Sequence, residues 1–220
     1  MKFRILAGAV ASVALFASAA AAQTCQGDLA FRGRPIHVGG ALGFTDHTTT
    51  FGGGMTFGHA QGVFGGGSLG MVDTDAGNAV ALGGGIGYSM PLQHGSKWQF
   101  CPGGTLSFGF GPSVDLGGTT MKLSTQIFSL GASFGRVLPL NKDVTMLPFG
   151  AAALGHNTVK ASVNGATGST SDTYLTLGFG AGFQFSPNFV VRPALAFNVG
   201  TESITDDTVF SLGITFALPR

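Results

Sequence analysis

The chain has 220 residues, of which only 10% are charged, against roughly 25% in a soluble globular domain. Its 11 basic and 10 acidic residues nearly cancel, so charge supplies no footprint for nucleic acid. The 38 glycines and 20 phenylalanines take the composition further from the soluble norm.

At the N-terminus, Lys2 and Arg4 precede an apolar run from Ile5 to Phe16, and Ala20, Ala21 and Ala22 offer small residues at cleavage positions. This pattern predicts a secretory signal peptide over residues 1–22, since the apolar run is shorter than a membrane span. Export follows. The residues before Cys25 are Ala22, Gln23 and Thr24, a poor match to a lipoprotein cleavage motif, so no lipid anchor is expected. Residues 23–34 read as a periplasmic N-terminal segment. No later stretch is apolar for long enough to span a membrane as a helix, so an exported membrane protein of this sequence must be a closed barrel.

From Pro35 onward two kinds of segment alternate. Ascending strands begin near a proline, as at Pro35, Pro102, Pro148 and Pro193, where a missing N–H costs least, and Val63 to Met71 is a fifth without one. Descending strands end on Gly-x-x-aromatic: Gly54 to Phe57, Gly85 to Tyr88, Gly131 to Phe134, Gly180 to Phe183 and Gly213 to Phe216. The rings of Phe57, Tyr88, Phe134, Phe183 and Phe216 are thus expected to form an aromatic girdle at the periplasmic interface. Five and five make ten antiparallel strands over residues 35–220, with eight as the alternative.

Tight turns are expected after descending strands, and longer polar connections after ascending ones: 45–50, 73–78, 113–120, 156–172 and 201–207. Acidic residues gather in these outer connections and basic residues at the other end. One segment resists the pattern: from Thr120 to Gln126 the even positions are polar, and from Phe128 to Phe134 they are apolar. Either a bulge swaps the faces, or the first half stands above the membrane as part of a hairpin, and the second reading is preferred.

The last strand, Val209 to Leu218, carries the clearest alternation. Phe210, Leu212, Ile214, Phe216 and Leu218 share one face, and Ser211, Gly213, Thr215 and Ala217 the other. A water-facing strand would bear charges opposite its apolar face, and this one bears none. Lipid outside and a lumen inside account for both faces. The same parity assigns to the lumen Gly39, Ala41, Gly43, Gly83, Gly85, Gly87, Thr105, Ser107, Gly109, Thr176, Gly178, Gly180, Ser211, Gly213 and Thr215. This small, nearly uncharged set leaves room for a water path.

These alternating strands, the export signal, and the terminal Ser211, Gly213, Phe216 and Leu218 together resemble the small bacterial outer-membrane β-barrel domain family, which includes the opacity-type porins. The resemblance runs from about Pro35 to the end. It implies an all-β, antiparallel up-and-down transmembrane barrel in the Gram-negative outer membrane. It also implies lipid as the surroundings and the barrel-assembly machinery as a partner in biogenesis, with the four terminal residues as assembly signal. The chain departs from it by running past Phe216 to Arg220.

Cys25 and Cys101 are the only cysteines, and an exported chain with an even count is expected to join them. Such a bond would hold residues 26–34 across the periplasmic mouth, where Arg32 and Arg34 would favour anions. The five histidines lack metal-ligand spacing, and no Ser, His and acid gather on matching strand ends, so no catalytic residue, metal or cofactor is expected. Asp73 and Asp75 alternate like calcium ligands but lack the later Glu. The function expected is that of a passive narrow pore for small solutes or ions, or of a structural barrel. The alternative is an adhesin or envelope-integrity protein acting through its outer loops, with a lipid-modifying enzyme third.

Overall fold

The computed structural model describes residues 24–31, 34–46, 48–59, 62–74, 77–92, 97–115, 120–163, 166–199 and 208–218. The expected signal peptide, Arg32, His47, Asp75, His94 and residues 201–207 lie outside them. Ten long strands form the wall: β1 Ile36–Phe44, β2 Thr48–Gly58, β3 Val63–Thr74, β4 Gly77–Tyr88 and β5 Trp98–Asp115, followed by β6 Thr120–Arg136, β7 Thr145–Val163, β8 Ala166–Ser186, β9 Phe189–Val199 and β10 Thr208–Leu218. Two short segments, Met90–Pro91 and Leu138–Pro139, continue β4 and β6. Each strand pairs antiparallel with its sequence neighbours, and β1 pairs with β10, which closes the sheet. Closure leaves no edge in the wall for lipid to meet.

The registers fix the shape. A perpendicular path from Asn157 passes Ile127, Ser107, Gly83, Ser68, Gly54, Gly39, Thr215, Val190 and Gln184, and returns to β7 at Thr145, twelve residues lower. Ten strands with a shear of twelve give a tilt of about 40° and a backbone radius of about 10 Å. With large side chains inside, such a barrel would be full. Here the inward positions are mostly Gly, Ala, Ser and Thr, and inward glycines meet directly across strands at Gly39 and Gly54, Gly66 and Gly85, and Gly87 and Gly103.

Outside, the wall is apolar. In β10 Phe210, Leu212, Ile214, Phe216 and Leu218 are exposed, and Val209, Gly213, Thr215 and Ala217 are buried within, as the alternation requires. The same division holds around the barrel, with Leu69, Leu82, Ile86, Leu130, Leu154 and Phe179 outward.

The far end differs from expectation. The polar stretch 156–172 is not a loop: β7 runs on to Val163 and β8 starts at Ala166. Likewise β5 runs to Asp115 and β6 starts at Thr120. Thr and Ser sustain strand geometry when the ladder continues beside them, so polarity alone did not mark an end. The outcome is that β5 to β8 have 17–21 residues and the other strands 9–12. Beyond the last rung shared with β9, Leu175 with Val199, this four-stranded blade projects by roughly 20 Å.

The polarity swap in β6 is the mark of this projection. Its register against β7 is unbroken from Met121 opposite Val163 to Gly135 opposite Phe149, so the facing never changes. What changes is the surroundings. Lys122 and Gln126 face outward into water where Phe128 and Leu130 face outward into lipid, while Leu123 and Ile127 stay buried inside. A bulge does exist, but on β5, between Phe110 and Ser113.

Candidate functional site

The lumen is not empty. Residues 24–31 turn inward from the end where β1 begins and β10 finishes and form a plug, beginning with the single turn Thr24–Gln26. Cys25, Asp28, Leu29 and Phe31 are each at most 4% exposed. Their burial follows from their chemistry, because each finds a matching patch on the inner wall.

Cys25 is joined to Cys101 of β5 with the Cα atoms 6.1 Å apart. Leu29 packs with Leu147, Val190 and Ala217. Phe31 stacks on His37 of β1 at 4.3 Å between ring centres and lies 6.3 Å from Phe64. Asp28 is fully buried: its Oδ2 accepts a 2.7 Å hydrogen bond from the Thr215 hydroxyl and lies 3.7 Å from Nη1 of Arg192, and its Oδ1 accepts from the Leu29 amide at 2.8 Å. The same Nη1 donates to the Gln26 carbonyl at 3.1 Å. A carboxylate survives burial because a cation and two donors replace the water it loses.

The wall is shaped for the plug. A Cβ on Gly58 would fall on the Phe31 ring, and one on Gly182 on the Gly27 carbonyl, so these two glycines make room for it. At the rim, Arg34 donates to the Pro187 carbonyl. The segment therefore enters the barrel rather than lying across its mouth, and Arg34 is engaged with the rim.

Above the plug lies a chamber of about 180 Å³, with Gln26, Cys101 and Arg192 at its floor. Small residues make up much of its sides, among them Gly103, Thr105, Ser129, Ser133, Ala151 and Gly178, and Phe64, Phe149 and Leu195 also border it. Tyr174 borders it at the top, with its ring over Gly155, where a Cβ would meet the ring at 2.5 Å. Higher still, Val72, Ala79, Ile127, Val159 and Asn157 are buried in the lumen.

Of the rings expected at the terminal end, Phe57, Tyr88, Phe134 and Phe216 are exposed and Phe183 is half-buried, all on the outer face. Phe100, Phe189 and Trp98 join them unforeseen. Phe189 packs at a tilt against Phe216 at 4.9 Å between ring centres and Phe100 likewise against Phe134 at 5.2 Å, and Arg136 sits 5.5 Å over Trp98. These rings open their strands without the Gly-x-x-aromatic signature, so only strand pairing reveals them. Of the terminal motif, Phe216 and Leu218 face outward, while Ser211 lines the chamber and Gly213 lies beside Arg192.

Among the described residues, no three His, Cys, Asp or Glu side chains converge as metal ligands. His156 meets Thr173 across the β7–β8 pair at 3.0 Å on the outside of the blade, and the neighbouring Asp172 turns to the other face. Asp46 and Asp73 are exposed at the projecting end.

A closed antiparallel wall, apolar outside over its whole girth and lined with small residues within, defines an outer-membrane β-barrel. The β domain of the Bordetella autotransporter Brka has the same fold: the match covers 83% of this chain and 98% of that one at 13% identity, with a TM-score of 0.51. Ail, the attachment invasion locus protein of Yersinia pestis, matches over 83% and 96% at 18% identity and a TM-score of 0.43. The KdgM porin matches over 83% and 99% at 8% identity and 0.41. No protein-family model and no curated protein matches the sequence.

Proposed function

We propose that this protein is a closed barrel of the outer membrane, a structural and surface-contact element of the envelope rather than an open diffusion pore. The observation that carries this reading is the plug: residues 24–31 fill the terminal end of the lumen and are fastened by a disulfide and an ion pair. Both termini then lie on the periplasmic side, reached by a signal peptide, and the blade of β5 to β8 stands outside the cell. Its polar outer face supports a role in surface contact. The assembly machinery would read the terminal strand through Phe216 and Leu218.

Single-channel recording in planar bilayers tests the reading. The oxidised protein is expected to be silent, and a Cys101→Ser variant lacking residues 24–31 is expected to conduct, because a backbone radius of about 10 Å with a small-residue lining leaves a water path. Steady current through the oxidised, intact protein would overturn it.

A further inference from the structure

We propose that the chamber above the plug is a binding site for a small uncharged molecule with an apolar body and one hydrogen-bonding edge. The proposal rests on the closed-barrel reading, because the plug is the floor of the site.

Polarity in the chamber is one-sided. On the β5–β6 wall Thr105 lies opposite Ser129 and Cys101 opposite Ser133, so three hydroxyls share that wall. Ser133 is 2% exposed, and its Oγ has no partner. On β7 to β10, between Arg192 at the floor and Tyr174 at the top, the lining includes Ala151, Ala153, Gly178, Ala194 and Ala196, the Thr176 hydroxyl is already given to Asn198 at 2.7 Å and the Ser211 hydroxyl to the Ala194 carbonyl at 3.5 Å. Burying a hydroxyl unpaired is unfavourable, so Ser133 points to an occupant that supplies the missing bond.

The neighbourhood repeats this signal. Ser107, Thr125 and Asn157 are also buried with unpartnered polar side-chain atoms, and with Ser133 they lie on the inner face of three adjacent strands. These orphan groups lead from the projecting end down to the chamber, which suits a guest that arrives carrying a hydrogen-bonding group. A charged guest would find little to compensate it, because the one charged side chain on the lining, Arg192, is already matched by Asp28. Size is set by volume: a cavity of about 150 Å³ accepts benzene, so 180 Å³ matches one six-membered ring bearing a small polar substituent.

The test uses the folded, oxidised protein in detergent micelles, with phenol as the neutral probe and benzoate as its charged counterpart, read by NMR. Phenol is expected to shift the Thr105, Ser129 and Ser133 resonances saturably, and benzoate is not. Gly178→Leu should abolish the shift, because a Cβ at Gly178 meets nothing nearer than 3.6 Å and the side chain can enter the chamber without pressing on the wall. Ser133→Ala should weaken binding several-fold, and it serves as the test should Gly178→Leu misfold. Shifts confined to lipid-facing Leu106 and Leu130, shifts that never saturate, or equal shifts in the variants would overturn the site. Conductance of the same preparation separates the two readings. Current together with saturable binding removes the closed barrel and keeps the site, and silence without binding does the reverse.

Discussion

Asp28 shows how much one residue can hold in a lumen. Its carboxylate ties the plug to β10 through Thr215 and to β9 through Arg192. Asp28→Ala leaves a mostly buried guanidinium without its partner and is expected to lower unfolding stability by about 3 kcal/mol. A double variant with Arg192→Met should recover most of that loss, and strictly additive losses in the cycle would mean the two groups are not coupled. The outer face obeys a different rule. Ile214→Arg places a charge in lipid and should cost about 2–4 kcal/mol, whereas Ser211→Arg places it in the chamber and should assemble. Thr215, which by parity alone would be an equally neutral lumen position, is unsuited as that control because it bonds the plug. Equal assembly of the Ile214 and Ser211 variants, scored by surface labelling, would invert the facing of β10.

Two elements behave as attachments to the wall. The plug is tied by a disulfide that spans 76 residues, worth on the order of 4 kcal/mol in the chain-entropy model. Peptide mapping without reductant should recover Cys25 and Cys101 as one crosslinked pair, and two alkylatable thiols in the native protein would refute the bond. A Cys25→Ser, Cys101→Ser variant should still close its wall, since no strand pairing depends on the plug. The blade is the second attachment. A Cβ at Gly168 would meet nothing within 4 Å, and the residues around it are exposed, so an epitope inserted after Gly168 should be tolerated and bound by antibody on intact cells. Labelling only after permeabilisation would place the blade in the periplasm.

At the scale of the whole molecule, stability resides in a ladder without ends. Every strand has two neighbours, and opening any one seam exposes backbone groups to lipid, which cannot replace their hydrogen bonds. The folded barrel should therefore resist sodium dodecyl sulfate at room temperature and migrate anomalously on a denaturing gel until boiled. Identical migration before and after boiling would argue against a closed transmembrane wall.

The wall and its facing were legible because they are periodic. Each strand of the kind seen in Phe210 to Leu218 has only two faces, and lipid and lumen demand opposite chemistry on them, so parity alone sorts the residues. The pairing of Cys25 with Cys101 was legible for a simpler reason, two cysteines in an exported chain. The contents of the lumen were not legible. Cys25, Asp28, Leu29 and Phe31 have no period, and read along the chain they are a short, unremarkable segment before the first strand. Asp28 meets Thr215 and Arg192 only after the last two strands have come round to close on β1, and contacts across more than 160 residues leave no local trace. The length of the blade escaped for a related reason. Outside the membrane the outer face turns polar while the register runs on, so a change of solvent reads along the sequence as the end of a strand. Local alternation determines which way a side chain points, and only ring closure decides what it finds there.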